Sequence, residues 1–152
     1  IPELPTVARK FYTLLREAFM NISENYKCHC DSKKPFADCC ELLLTNTKQA
    51  KTPVQLMRSR FTAYKLGGYG EYLLKTWFPL TSKGVNAIEL SQKSSDWRQL
   101  KIISKSQQGD NGFVEFEAQF VDVTGHHQVY REQSVFKRVE GAWLYVGEEI
   151  CT

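Results

Sequence analysis

Four of the five cysteines in this 152-residue chain fall within one short window, as Cys28-His29-Cys30 and, eight residues further on, Cys39-Cys40. Four thiols make up the complete tetrahedral donor set of a soft dication such as zinc. Sulfur suits the task because the thiolate is polarisable and ionises readily on a metal, and donors close in sequence keep the entropy of loop closure low. With four protein ligands no coordination position stays open, so the ion would hold structure and carry out no hydrolysis. Two disulfides are an alternative, with three connectivities, although a bond between adjacent Cys39 and Cys40 distorts the peptide and one between Cys28 and Cys30 is also strained. Buried free thiols are a third reading, set against the polar Asp31, Ser32, Lys33, Lys34 and Asp38 between the pairs. His29 and the isolated Cys151 are substitute donors, each worse placed. The expected ligands are therefore Cys28, Cys30, Cys39 and Cys40. Four thiolates on one dication would lower the formal charge from +3 to +1, which calls for nearby donors such as Lys27, Lys33 and Lys34.

A second group of residues invites chemistry of another kind. Tyr130, Glu132, Ser134 and Phe136 share one face of a strand by their even spacing. If that face points inward, Glu132 is a carboxylate among aromatics and needs a partner, for which Arg60 or Arg58 is the expected cation. A buried ion pair that fixes helix against sheet is the plainer reading. A ligand-binding pocket lined by Arg60, Tyr64, Trp77, Glu132, Ser134 and Trp143 is the alternative, although aromatic residues at such spacing are more often core fillers. His126-His127 follows Gly125 and reads as a hairpin loop rather than a second metal site. No glycine-rich phosphate loop, serine elbow or pair of catalytic carboxylates is present.

The elements that must position these residues are legible in the periodicity. Val7, Phe11, Leu14, Leu15, Ala18, Phe19 and Ile22 predict an amphipathic helix over about 6–24, whose apolar stripe has to bury against something. The cysteine segment lacks periodic apolar residues, as expected where a metal supplies the folding energy. Thr52-Pro53 predicts a helix start, continued by Leu56, Met57, Arg60, Phe61 and Tyr64 until Gly67-Gly68, with a second short helix over about 71–77. From there the period changes to two. Turn signals at Gly109-Asp110-Asn111-Gly112, Thr124-Gly125 and Glu140-Gly141 separate strands at about 97–106, 113–123, 128–139 and 143–148, and the parity switch at Phe120-Val121 marks a bulge or a strand end. Helices first and an antiparallel meander afterwards is an α+β fold. The 20 basic and 17 acidic residues name no polyanion partner unless they cluster, and no apolar run approaches the roughly 18 residues of a membrane span.

The pattern Cys28-x-Cys30-x-Ser32-x-Lys34-x-Phe36-x-x-Cys39-Cys40 resembles the SEC-C motif, a small zinc module. Thr52-Pro53, Leu56 through Tyr64, Tyr72-Leu73-Leu74-x-Thr76-Trp77, Glu132-x-Ser134-x-Phe136 and Gly141-x-Trp143 with Tyr145-Val146 resemble the YchJ family of uncharacterised bacterial proteins. The resemblance implies a nuclear-transport-factor-2-like (NTF2-like) α+β cone, with helices on a curved antiparallel sheet and a SEC-C zinc knuckle near the N-terminus. Divided accordingly, the chain has an N-terminal helix over 1–26, the knuckle over 27–44 and the α+β domain over 45–152. Lys33 stands where the motif has glycine; if that turn needs a positive φ, lysine costs on the order of 1 kcal/mol, which metal binding would cover. Phe78 and Arg131 stand where relatives often carry histidine, so a histidine base at those positions is not expected here.

The expected function is that of a non-enzymatic, structural-zinc protein whose knuckle meets a protein or ribonucleoprotein partner. The alternative is a small-molecule binder or enzyme using the cone. Direct nucleic-acid binding through Lys27, Lys33 and Lys34 is a weaker expectation, no membrane association is expected, and reduced thiols point to the cytoplasm.

Overall fold

The computed structural model describes residues 5–149, with side chains throughout except over 19–25. Five helices come first: α1 (Thr6–Asn25), α2 (Cys40–Leu44), α3 (Pro53–Leu66), α4 (Gly70–Lys75) and α5 (Ala87–Leu90). Four strands follow: β1 (Asp96–Gln108), β2 (Asn111–Val121), β3 (His127–Val139) and β4 (Ala142–Glu148). They form one antiparallel sheet in sequence order.

Helix α3 is the element on which both candidate sites depend. The Thr52 hydroxyl accepts a hydrogen bond from the Gln55 amide (3.2 Å) and Pro53 occupies the first turn, which fixes where the helix starts. Gly67, at a φ of 73°, ends it while its amide bonds the Ala63 carbonyl at 3.0 Å. One side of α3 presents Leu56, Met57 and Phe61 to Val114, Phe116 and Ala118 of β2, Phe136 of β3 and Trp143 of β4, which together form the main core. Ala63, on another side, joins a second buried cluster with Cys28, Cys30, Cys40 and Leu44 from the knuckle and Tyr72 and Leu73 from α4. The knuckle thus has no core to itself and shares one with α3 and α4.

The alternation of β2 is as expected, with Val114, Phe116 and Ala118 buried. Its parity switch is a strand end: β2 stops at Val121, and Val123 is fully exposed in the following turn. β1 follows no simple alternation because register shifts after Trp97 and Ile102 break it. Helix α4 ends two residues before the expected Trp77, because the chain there joins the sheet instead. The Phe78 amide donates to the Tyr145 carbonyl at 2.7 Å, and the Tyr145 amide donates to Thr76 at 2.8 Å. This short parallel pairing of Trp77 with Tyr145 covers the outer edge of β4.

Helix α1 departs from expectation. Val7, Phe11, Leu14 and Leu15 of its apolar stripe are all more than half exposed, since the helix touches little beyond the short 3-10 turn at Phe36–Asp38. Phe19 and Ile22 lie outside the described side chains, and no described helix is long and apolar enough to cross a membrane.

Candidate metal centre and the neighbouring cavity

The knuckle is built on two short antiparallel arms. The Cys28 amide bonds the Lys34 carbonyl (2.8 Å) and the Phe36 amide bonds the Tyr26 carbonyl (2.7 Å), with Lys27 opposite Pro35. Asp31 (φ 59°) and Lys33 (φ 68°) take left-handed conformations in the turn between the arms, so the lysine does occupy the strained position expected of it. This folds Cys28 and Cys30 back towards Cys39, which follows the 3-10 turn, and Cys40, which opens α2.

All four sulfur atoms lie within 4.8 Å of one another, and those of Cys30 and Cys39 are 3.6 Å apart. Sulfurs at the corners of a tetrahedron around zinc, with Zn–S near 2.3 Å, stand about 3.8 Å apart. The structure pairs none of the four in a disulfide. Cys28, Cys30 and Cys40 are buried. Hydroxyl groups meet two of the sulfurs: Thr62 Oγ1 donates to Cys40 Sγ at 3.3 Å, and Ser32 Oγ lies 3.2 Å from Cys39 Sγ.

Electrostatics within the cluster favour an ion. Hydrogen bonds from the Cys28 and Cys40 thiols hold Cys30 well below the ordinary thiol range. The same contact pushes Cys28 up to about 11, and bonding to the Cys28 and Cys30 sulfurs raises Cys40 further, reinforced by burial. Proximity thus favours the charge on Cys30 and opposes it on Cys28 and Cys40. Ionising all four so close together requires positive charge at their centre.

Three contacts tie the centre to the larger fold. Arg58 Nη1 donates to the Cys30 carbonyl at 2.5 Å, Thr62 bonds Cys40, and the Asp31 carboxylate accepts the Leu100 amide of β1 at 2.8 Å. Arg58 and Thr62 stand four apart on α3, a spacing that puts them on one helix face. That spacing was the available signal for them, whereas nothing local announces the partner of Asp31. His29 is not a donor to this cluster: its ring packs against Tyr26 and Phe36, and Tyr26 Oη lies 2.9 Å from its Nε2. Cys151 lies outside the described residues.

The second group of candidates divides. Arg60, Tyr64, Trp77 and Glu132 line a cavity of about 320 Å³ between α3 and the sheet. Ser134 and Trp143 do not. Ser134 is buried beneath Glu132 and donates to its carboxylate, while Trp143 sits in the main core with its Nε1 bonded to the Lys51 carbonyl at 3.2 Å.

The expected ion pair is also replaced by something else. Glu132 takes three hydroxyl donors, from Tyr130 (2.7 Å), Tyr145 (3.0 Å) and Ser134. Arg60 Nη1 donates to the Leu73 carbonyl and to Thr76 Oγ1, both at 2.7 Å, while the guanidinium lies over the rings of Tyr145 (4.7 Å) and Trp77 (5.2 Å). Arg58 is committed to the knuckle. Hydroxyl donors satisfy a buried carboxylate as a cation would, and aromatic faces with a carbonyl satisfy a buried guanidinium. Burial, then the charge of Glu132, pushes the Tyr145 hydroxyl far above its ordinary value. The indole Nε1 of Trp77 is buried without any hydrogen-bond partner.

Comparison with known proteins agrees with this geometry. Residues 52–148 match the family model described as YchJ, middle NTF2-like domain. A UPF0225 protein of Serratia proteamaculans is 39% identical over 124 residues, covering 78% of this chain and 80% of the relative. One from Vibrio parahaemolyticus is 35% identical over 123 residues, covering 78% and 72%. Among solved structures, a SEC-C motif containing protein from Rhodopseudomonas palustris superposes with a TM-score of 0.76 at 32% identity, covering 84% of this chain and all of the other. The NTF2-like α+β fold expected from the resemblance is the fold observed.

Proposed function

The chain belongs to the YchJ (UPF0225) family, and on that premise we propose that it is a zinc-binding adaptor, in which a structural ion rigidifies the knuckle so that the surface beside it can hold an acidic segment of a partner protein. The observation that carries the reading is the convergence of four cysteine sulfurs within 4.8 Å, with hydroxyl groups against two of them. Zinc suits an all-thiolate tetrahedron better than calcium or magnesium, which take oxygen ligands. A thiol set that binds metal only when reduced fits the cytoplasm.

Support for the partner's chemistry comes from an open groove beside the ion site, which reaches Cys39 and is lined by Lys34, Lys48, Lys51, Lys105 and Arg58 with Asp38 as its sole acidic residue. Such a surface selects against basic partners and speeds encounter with acidic ones. Elemental analysis of freshly purified, reduced protein tests the metal: one equivalent of zinc is expected, and less than half an equivalent after zinc is supplied overturns it. For the partner, a poly-glutamate peptide is expected to bind the zinc-loaded protein, weakening at least tenfold in Lys48→Glu/Lys51→Glu and less strongly at high salt. Preference for a single-stranded RNA of equal charge would shift the reading to a ribonucleoprotein target and overturn the acidic-peptide assignment.

A further inference from the structure

The cavity under α3 is separate from the ion site and makes its own demands on a ligand. Its walls come from several elements and are mainly aromatic, with Phe61 from α3, Trp97 from β1, Phe116 from β2 and Tyr145 from β4. At about 320 Å³ it is at the lower end of ligand-pocket sizes and would hold roughly ten waters at about 30 Å³ each. Ser94 and Tyr130, both exposed, stand at its rim and leave a way in.

The polar groups on its wall are few and only partly used. Trp77 Nε1–H is a buried donor with no acceptor, shielded by its surroundings, so that this ring offers the cavity its apolar surface and its N–H senses the state of the wall. Arg60 spends two N–H bonds through Nη1, and the Tyr64 hydroxyl on the same wall also interacts with the guanidinium. Glu132 receives three donors, one short of the roughly four a carboxylate accepts. The guanidinium and the carboxylate both line the cavity and cancel, so a ligand with net charge would leave one of them poorly compensated.

We infer that this cavity binds a flat, net-neutral heteroaromatic ring of about ten non-hydrogen atoms with a lactam edge, its carbonyl oxygen accepting from Arg60 and its adjacent N–H donating to Glu132. The aromatic walls supply faces and edges for the ring. Purine- and pyrimidine-type lactams share this edge, and size separates them.

Nitrogen-edited NMR of the zinc-loaded chain tests the assignment, with hypoxanthine and uracil as lactam probes, indole as a ring without an acceptor and benzoate as an anion. Hypoxanthine is expected to move the Trp77 Nε1–H resonance and leave that of Trp143, already bonded to Lys51, in place. Glu132→Gln should weaken hypoxanthine at least tenfold. Ala118→Leu, which fills the cavity from β2 without touching a polar group, should abolish the shift and keeps the test decisive if the Glu132 variant does not fold. The inference is overturned if neither lactam moves the Trp77 resonance at millimolar concentration, or if indole or benzoate binds as tightly as hypoxanthine.

Discussion

At the residue scale, three residues hold conformations or protonation states that a simple experiment can read. Lys33 sits at a φ of 68° where an L side chain is strained. Lys33→Gly should therefore stabilise the zinc-loaded protein by about 1 kcal/mol, seen as a rise in the denaturant midpoint at unchanged slope. Burial keeps the hydroxyls of Tyr145 and Tyr72 protonated beyond the ordinary tyrosine value near 10. A group whose folded pKa is raised adds stability that is complete below the unfolded value and declines as pH climbs beyond it. Ultraviolet difference absorbance should thus show these two tyrosines ionising only as the protein unfolds in alkali, whereas ionisation near pH 10 in an intact fold would contradict their burial. The residue scale is also where sequence reading reached least far. The even spacing along β3 correctly set Glu132 and Ser134 on one buried face, but the three hydroxyls that satisfy the carboxylate come partly from β4, and no local pattern announces a partner 13 positions away.

At the scale of elements, legibility tracks how local the cause is. The start of α3 is written in Thr52-Pro53 and its end in Gly67, and the knuckle is written in its cysteine spacing, which brings four sulfurs into the donor set a metal ion could take. The four-residue helix α5, capped by the Asn86 side chain on the Ile88 amide at 2.7 Å, is too short to carry a period that a sequence would display. The early end of α4 depends on a pairing with β4 some 70 residues downstream by sequence numbering. Close approach between elements leaves an equally quiet trace: a Cβ on Gly112 of β2 would stand 2.4 Å from the Pro53 ring and 3.2 Å from Trp143. Proline at the start of α3 and a tryptophan in the core have little freedom to yield, so Gly112→Ala is expected to cost about 1–3 kcal/mol. The check is a denaturant titration of the two proteins, with the loss read as a lower midpoint at unchanged slope.

For the whole molecule, the decisive feature is that the cysteine cluster is not an appendage. Cys30, Cys40 and Leu44 share a buried cluster with Ala63 of α3 and Leu73 of α4, and α3 is also one wall of the main core. Loss of the ion would melt the arms around Cys28–Cys40 and strip one side of α3, while Leu56, Met57 and Phe61 still hold its other side on the sheet. Structural zinc contributes roughly 10–16 kcal/mol of apparent binding free energy in small modules, as much as the whole stability of a typical domain. Only the share transmitted through α3 reaches the sheet. If that share is about 4 kcal/mol, the main unfolding transition drops by roughly 8–16 °C, at about 2–4 °C per kcal/mol for a chain of this size. Hydrogen exchange on chelator-treated, reduced protein should accordingly show protection lost over 26–44, weakened in α3 and retained in β2 and β3 below the new midpoint. Simultaneous loss across the sheet at room temperature would mean that knuckle and sheet form one cooperative unit, and an unchanged midpoint would mean that the shared cluster transmits nothing.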